Sequence, residues 1–255
     1  MTTVLKIGGN VLNAPPTLAR ALDYFASLPG PAVLVHGGGR RASEVVREMG
    51  REPLMIDGRR ITDAPTLEIV TMVYAGLINK QVVAQLQARG CQAIGLSGAD
   101  GNSVLAVKRP VREIDYGYAG DVTGVNGELL AGLFDLGLRP VLCPITHDRR
   151  GQLLNTNADT IANETATALA QDGHAVSLRY CFELQGVLRD IDDTTSVITE
   201  MNPESYAELK AEGVIAGGMI PKLDNAFAAV AAGVREVVIG DLAALSGGGG
   251  TRLMA

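Results

Sequence analysis

Lys6 stands two residues ahead of a glycine pair, Gly8-Gly9, at the end of the apolar run Val4–Ile7. A second apolar run, Ala32–His36, ends in Gly37-Gly38-Gly39. Glycines at such a turn let main-chain N–H groups close on an anion, because no Cβ intervenes. Two such turns on neighbouring strands, one with a lysine, suit a site that holds a phosphate beside a second anionic group. That chemistry is phosphoryl transfer onto an acid. The first turn is not a Walker A loop, in which the lysine follows the glycines at a helix start.

Other segments add charge of the needed sign. Asp57-Gly58 favours a tight hairpin turn, and Arg59-Arg60 follows it. Strand alternation puts the two arginines on opposite faces, so one is placed to clamp a carboxylate with its planar fork while the other meets solvent. In Asn155-Thr156-Asn157-Ala158-Asp159, Asn157 is a natural helix N-cap, which leaves Asn155 and Asp159 for another purpose. Lys222 lies one turn inside a helix led by Gly217-Gly218, a position from which a lysine reaches phosphate. A competing reading rests on Gly37–Ala42. It fits the G-x-G-x-x-A dinucleotide fingerprint, with Asp57 near the offset of a ribose-binding acid, and implies a nicotinamide-dependent oxidoreductase. Against it, the fingerprint follows the second strand, not the first, and Asp57 reads better as a hairpin corner.

These residues need a scaffold that delivers strand ends to one edge. Short apolar runs alternate with helical patterns: strands at Val4–Ile7, Ala32–His36, Gln92–Leu96, Arg139–Cys143, Ala175–Cys181 and Glu236–Ile239. Helices are expected at Thr17–Leu28, Arg40–Met49, Ala64–Tyr74, Leu77–Arg89, Glu128–Leu136, Pro203–Glu212 and Met219–Ala232, with another after Asn157. The glycine-rich stretch Asp115–Gly127 is expected to be irregular or a hairpin, and Ser246–Gly250 a surface loop. The alternation argues for a mostly parallel sheet covered by helices, with a lobe boundary near Asp172-Gly173.

Composition narrows the class. The 255 residues are 47% hydrophobic and 20% charged, ordinary for a folded globule. A formal charge of −6 with no basic stripe argues against nucleic acid as partner. No uninterrupted apolar run is long enough to span a membrane and no signal pattern opens the chain, so the expected place is the cytoplasm. Cys91, Cys143 and Cys181 and the histidines His36, His147 and His174 are too scattered for a disulfide framework or a metal cluster, and no metal ligand is assigned.

Together these segments resemble the amino acid kinase family, and within it the acetylglutamate kinase branch. The likeness runs through Lys6–Gly9, His36–Gly39, Gly58–Asp63, Asn79-Lys80, Gly95–Gly101, Gly120–Thr123, Asn155–Asp159, Gly218–Lys222 and Gly250–Leu253. The resemblance implies an α/β fold, a three-layer αβα sandwich in two lobes. Residues 1–172 would bind the acylated amino acid and form a homodimer, and residues 173–255 would bind ATP with Mg²⁺. It implies phosphorylation of the side-chain carboxylate of N-acetyl-L-glutamate, with N-succinylglutamate as the rival acid. Lys6 and Lys222 would stabilise the transferring phosphoryl group and Asp159 would position both. Gly9, Gly37 and Gly38 would offer N–H groups, and Arg60 and Asn155 would hold the α-carboxylate. On the nucleotide side it points to Gly8, Gly9, Glu183, Gly186, Leu188 and Ile215. One departure is Cys181-Phe182-Glu183, where the family often carries a Ser/Thr-Asp pair. The chain also opens at its first strand, without the amino-terminal helix of arginine-inhibited hexamers, which implies a dimer without arginine feedback.

Overall fold

The computed structural model describes residues 1–56, 58–217 and 219–254. Asp57 and Gly218 therefore lie outside the described residues. The first half runs β1 (Thr2–Ile7), α1 (Gly9–Asn13), α2 (Pro15–Ser27), β2 (Ala32–His36), α3 (Arg41–Glu48), and the short strands β3 (Met55–Ile56) and β4 (Arg59–Arg60). Then come α4 (Ala64–Thr71), a π-helical stretch (Met72–Ile78), α5 (Asn79–Gln87), β5 (Ala93–Leu96), β6 (Val104–Lys108) and β7 (Ala119–Val125). The remainder is α6 (Gly127–Asp135), β8 (Arg139–Leu142), β9 (Ile145–His147), β10 (Leu153–Thr156), α7 (Ala158–Gln171), β11 (Val176–Cys181), β12 (Glu200–Met201), α8 (Pro203–Ala211), α9 (Met219–Ala231), β13 (Glu236–Gly240), α10 (Leu242–Gly247) and β14 (Thr251–Leu253).

Eight strands form one sheet in the order β12-β14-β13-β11-β1-β2-β8-β5. Every pair is parallel except β13 with β14. β1 is a central strand, flanked by β11 and β2, so Lys6 is not an edge lysine. Strand alternation splits the core in two. Leu5, Ile7, Ala32 and Leu34 pack with α2, α3, α4 and α5 on one face. Val4, Val33, Val35 and Leu178 pack with α6, α7, α8 and α9 on the other. The result is the αβα sandwich expected from the sequence.

Several elements differ from that expectation: α1, β12 and β14 were not anticipated, and α10 takes in Ser246 and Gly247, where a surface loop was expected. Ala64–Gln87 is one continuous 24-residue helix, not two, because the π-helical stretch carries the chain through Gly76. Its length and mean hydropathy of 1.2 would suit a membrane span, but 44% of the apolar window is buried against the core. The stretch around Asp115–Gly127 contains β7, which closes a four-stranded barrel, β10-β7-β6-β9. Strands β6, β9 and β10 were not anticipated. They are short, and β6 meets β7 across a register shift at Leu105/Ala106.

Candidate active site

Parallel strands end together, so the turns after β1, β2 and β11 gather at the carboxyl edge of the sheet, where open α/β folds hold ligands. Two cavities open there, of about 410 Å³ and about 400 Å³. They meet at Gly9 and Asn10, which line both.

The first cavity is walled by Gly37–Gly39 after β2, by Arg59, Arg60 and Met55 of the hairpin, and by Ala119, Gly120, Asn155 and Thr156 of the barrel. Arg60 is 8% exposed and Arg59 half-buried, and both line this cavity, so Arg60 is the more inward of the two. The Arg60 guanidinium donates from Nη2 to Ser43 Oγ at 2.9 Å. Its buried Nε and Nη1 have no hydrogen-bond partner. Buried donors without partners are costly, and a carboxylate would satisfy the pair with matching geometry. Asn155 Nδ2 donates to Thr62 Oγ1 at 3.0 Å, which fixes its amide at the wall. A Cβ on Gly38 would overlap the ring of Tyr74, so only glycine lets the second turn pass beneath that ring. Tyr74 was missed from the sequence; its one signal is a place in the helix that follows the arginine hairpin.

The second cavity is lined by Lys6, Gly8, Gly9, Cys181, Phe182, Glu183, Gly186, Met219 and Lys222. Lys6 alternates onto the same face as Val4, the face that α7 covers. There its Nζ pairs with Asp159 Oδ1 at 2.6 Å. Asn157 caps α7 by accepting from the Asp159 and Thr160 N–H groups, as its position in the sequence implies. α1 begins at Gly9 with no side-chain cap, so its first N–H groups lack intrahelical partners.

Lys222 departs from the expected arrangement. Among the described residues its Nζ lies over a ring, 4.3 Å from the Phe182 centroid, and forms no ion pair with Asp159, which pairs with Lys6. Lys6 Nζ lies 5.5 Å from the same centroid. The quadrupole of an aromatic face attracts ammonium groups. Phe182 thus takes up both lysines at the sequence position that departs from the family pattern. Glu183 accepts from Asn10 Nδ2 across the mouth of the cavity.

Two nucleotide candidates do not line this cavity. Leu188 is buried at its bridge with Val197, and Ile215 belongs to the hydrophobic core. The cysteines are buried, and burial pushes the thiols of Cys143 and Cys181 up to about 12 and about 11, which leaves them unreactive. The dinucleotide reading finds no support: Gly37–Gly39 face a cavity lined by arginines, and Ala42 is core.

Comparison with known proteins agrees with this architecture. Residues 1–241 match the amino acid kinase family. An acetylglutamate kinase of Bacteroides thetaiotaomicron is 54% identical over 251 residues, covering 98% of this chain and 97% of its own. The crystal structure of smu.665 from Streptococcus mutans superposes with a TM-score of 0.79 at 28% identity, over 100% of this chain and 98% of that one. N-acetylglutamate synthase from Neisseria gonorrhoeae shares the fold, with a TM-score of 0.83 at 23% identity, over 100% of this chain and 59% of that one. The chain belongs to the amino acid kinase family.

Proposed function

We propose that the protein transfers the γ-phosphoryl group of ATP to the side-chain carboxylate of N-acetyl-L-glutamate, forming an acyl phosphate and ADP as a step of arginine biosynthesis. The observation that carries this reading is the junction at Gly9, where a cavity with two unpartnered donors of a buried guanidinium meets a cavity with two lysines. The 54% identity to an acetylglutamate kinase supports the choice of acid.

In this reading Arg60 and Asn155 hold the α-carboxylate. That leaves the side-chain carboxylate near Gly37 and Gly38. The attacking group is ionised at neutral pH, since a glutamate carboxyl titrates near ~4.3, so no general base is needed. Lys6, Lys222 and the N–H groups of Gly8, Gly9, Gly37 and Gly38 offset charge that gathers on the phosphoryl oxygens. Asp159 holds Lys6 in place. Glu183 and Gly186 line the nucleotide side, and Leu188 and Ile215 are buried core residues that do not line it. Among the described residues no group of three acid, histidine or cysteine side chains is poised as a cation cage. Mg²⁺ would enter with ATP and would supply charge neutralisation to its phosphates.

A second reading is favoured by the lining of the acid cavity. Arg40, Arg59, Arg60 and Arg109 line it, and among the described residues no aspartate or glutamate does. Such a wall would accept an acyl group that ends in its own carboxylate, as in N-succinylglutamate. The working form in either case is taken as a cytoplasmic homodimer, which sedimentation would check.

Trapping the acyl phosphate as a hydroxamate tests the reading. ATP-dependent product with N-acetylglutamate and none with free glutamate is expected. Faster product with N-succinylglutamate would select the second acid, and no product with any of the three would overturn the kinase reading.

A further inference from the structure

His36 ends β2 immediately before the glycine turn and is fully buried, yet no step above uses it. Its Nδ1 lies 2.8 Å from the Gly37 carbonyl oxygen. A carbonyl only accepts, so Nδ1 carries the proton and Nε2 is the bare acceptor. Asn79 Nδ2 donates to that Nε2 at 3.2 Å and to the Val141 carbonyl at 2.9 Å. Asn79 Oδ1 accepts from Lys80 Nζ at 3.2 Å, and Lys80 Nζ also donates to the Gly95 carbonyl at 2.9 Å. The chain of bonds runs in one direction from Lys80 to Gly37, and the Asn79 amide spends both donor hydrogens and its oxygen.

Two features of the scaffold serve this chain. A Cβ on Gly95 would overlap Asn79 Oδ1 and crowd Lys80 Nζ, so β5 gives up a side chain where they reach in. The π-helical stretch Met72–Ile78 ends just before Asn79. Side chains five residues apart point about 140° from one another on an α-helix. An i→i+5 turn brings them back toward one side. Tyr74 and Asn79 accordingly both face the glycine turn, one against Gly38 and one against His36.

We propose that His36, oriented by Asn79 and Lys80, is a positioning residue that sets the direction of the Gly38 N–H. A peptide unit is planar and trans, so the Gly38 N–H points opposite to the Gly37 carbonyl. With that carbonyl held by the buried imidazole, the N–H is turned the other way, into the cavity that Gly37 and Gly38 line. The proposal rests on the kinase reading for its effect on rate, because the N–H then meets the reacting end of the acid.

The test compares His36→Leu, His36→Gln and the solvent-exposed Lys80→Met. Displacing a positioned donor by a fraction of an ångström costs ~10–100-fold in kcat, the loss expected for His36→Leu. AMP-PNP should still bind within twofold of the parent, and His36→Gln, which keeps a donor and an acceptor, should recover most of the rate. A His36→Leu protein with kcat within twofold of the parent would overturn the proposal. So would an AMP-PNP Kd that rises in step with the lost rate, which marks general damage. Should His36→Leu not fold, Lys80→Met decides: a shifted Gly38 amide resonance in a ¹⁵N spectrum is expected, and an unmoved one overturns the proposal. That resonance reads out without turnover, so an inactive parent protein would sink the kinase reading alone.

Discussion

The chemistry rests on a few side chains whose placement is set by strand alternation and by one helix start. Lys6 is a strand residue on the face α7 covers, and Asp159 is in the first turn of α7, so their contact at 2.6 Å follows from the sandwich itself. Removing one charge-stabilising donor costs ~10²–10³ in kcat, and we expect that loss for Lys6→Ala and for Lys222→Ala, with little change in KM, in the hydroxamate assay. Arg60→Lys replaces a fork with a point charge, so the KM for the acid should rise several-fold while kcat changes less. An unchanged KM in steady-state titrations would move the clamp to another arginine. The sequence marked both lysines, Asp159 and the arginine pair. It left Arg59 and Arg60 open because alternation assigns opposite faces without saying which one is inward. It did not reveal Phe182 as the shared partner of the lysines, because that contact joins the ends of β1, β11 and α9, elements far apart in the chain.

Elements with strong periodicity were legible, and those that depend on distant partners were not. β1, β2, β8, β11 and β13 announce themselves as apolar runs, being buried on both faces. The barrel strands are glycine-rich or only three to five residues long in β6, β9 and β10, and gain their order from one another. Two helices, Ala64–Tyr74 and Leu77–Arg89, were expected where the π-helical stretch joins them through Gly76 into one. The element scale also carries a pH effect. Burial lowers the His36 imidazole from its ordinary 6.5 to about 4, against a smaller raising effect of its bond to the Gly37 carbonyl. Between those pH values the unfolded chain binds the proton that the folded chain refuses. The stability from this source is complete above pH 6.5, declines as pH falls to about 4, and declines no further below. The full effect is roughly 3 kcal/mol. Urea unfolding between pH 7 and pH 4.5 should show a steeper loss for the parent protein than for His36→Gln. Parallel pH profiles would show that the imidazole is not buried in its neutral form.

At the scale of the molecule, one sheet spans both regions that the sequence divides near Asp172-Gly173, since β11 pairs directly with β1. The two cavities therefore open at the edge of one sheet and differ in their walls. The barrel and the arginine hairpin wall the acid side, and the turn after β11 together with α9 walls the nucleotide side. Asn10, which lines both cavities, donates to Glu183 on the nucleotide side. Such an arrangement works only if both substrates bind at once and meet above Gly9. A crystal structure with AMP-PNP, Mg²⁺ and N-acetylglutamate tests this most directly. The account predicts the α-carboxylate on Nε and Nη1 of Arg60, the side-chain carboxylate facing the terminal phosphate above Gly9, and both Lys6 and Lys222 on that phosphate. An acid bound elsewhere, or a terminal phosphate remote from Lys6, would contradict it.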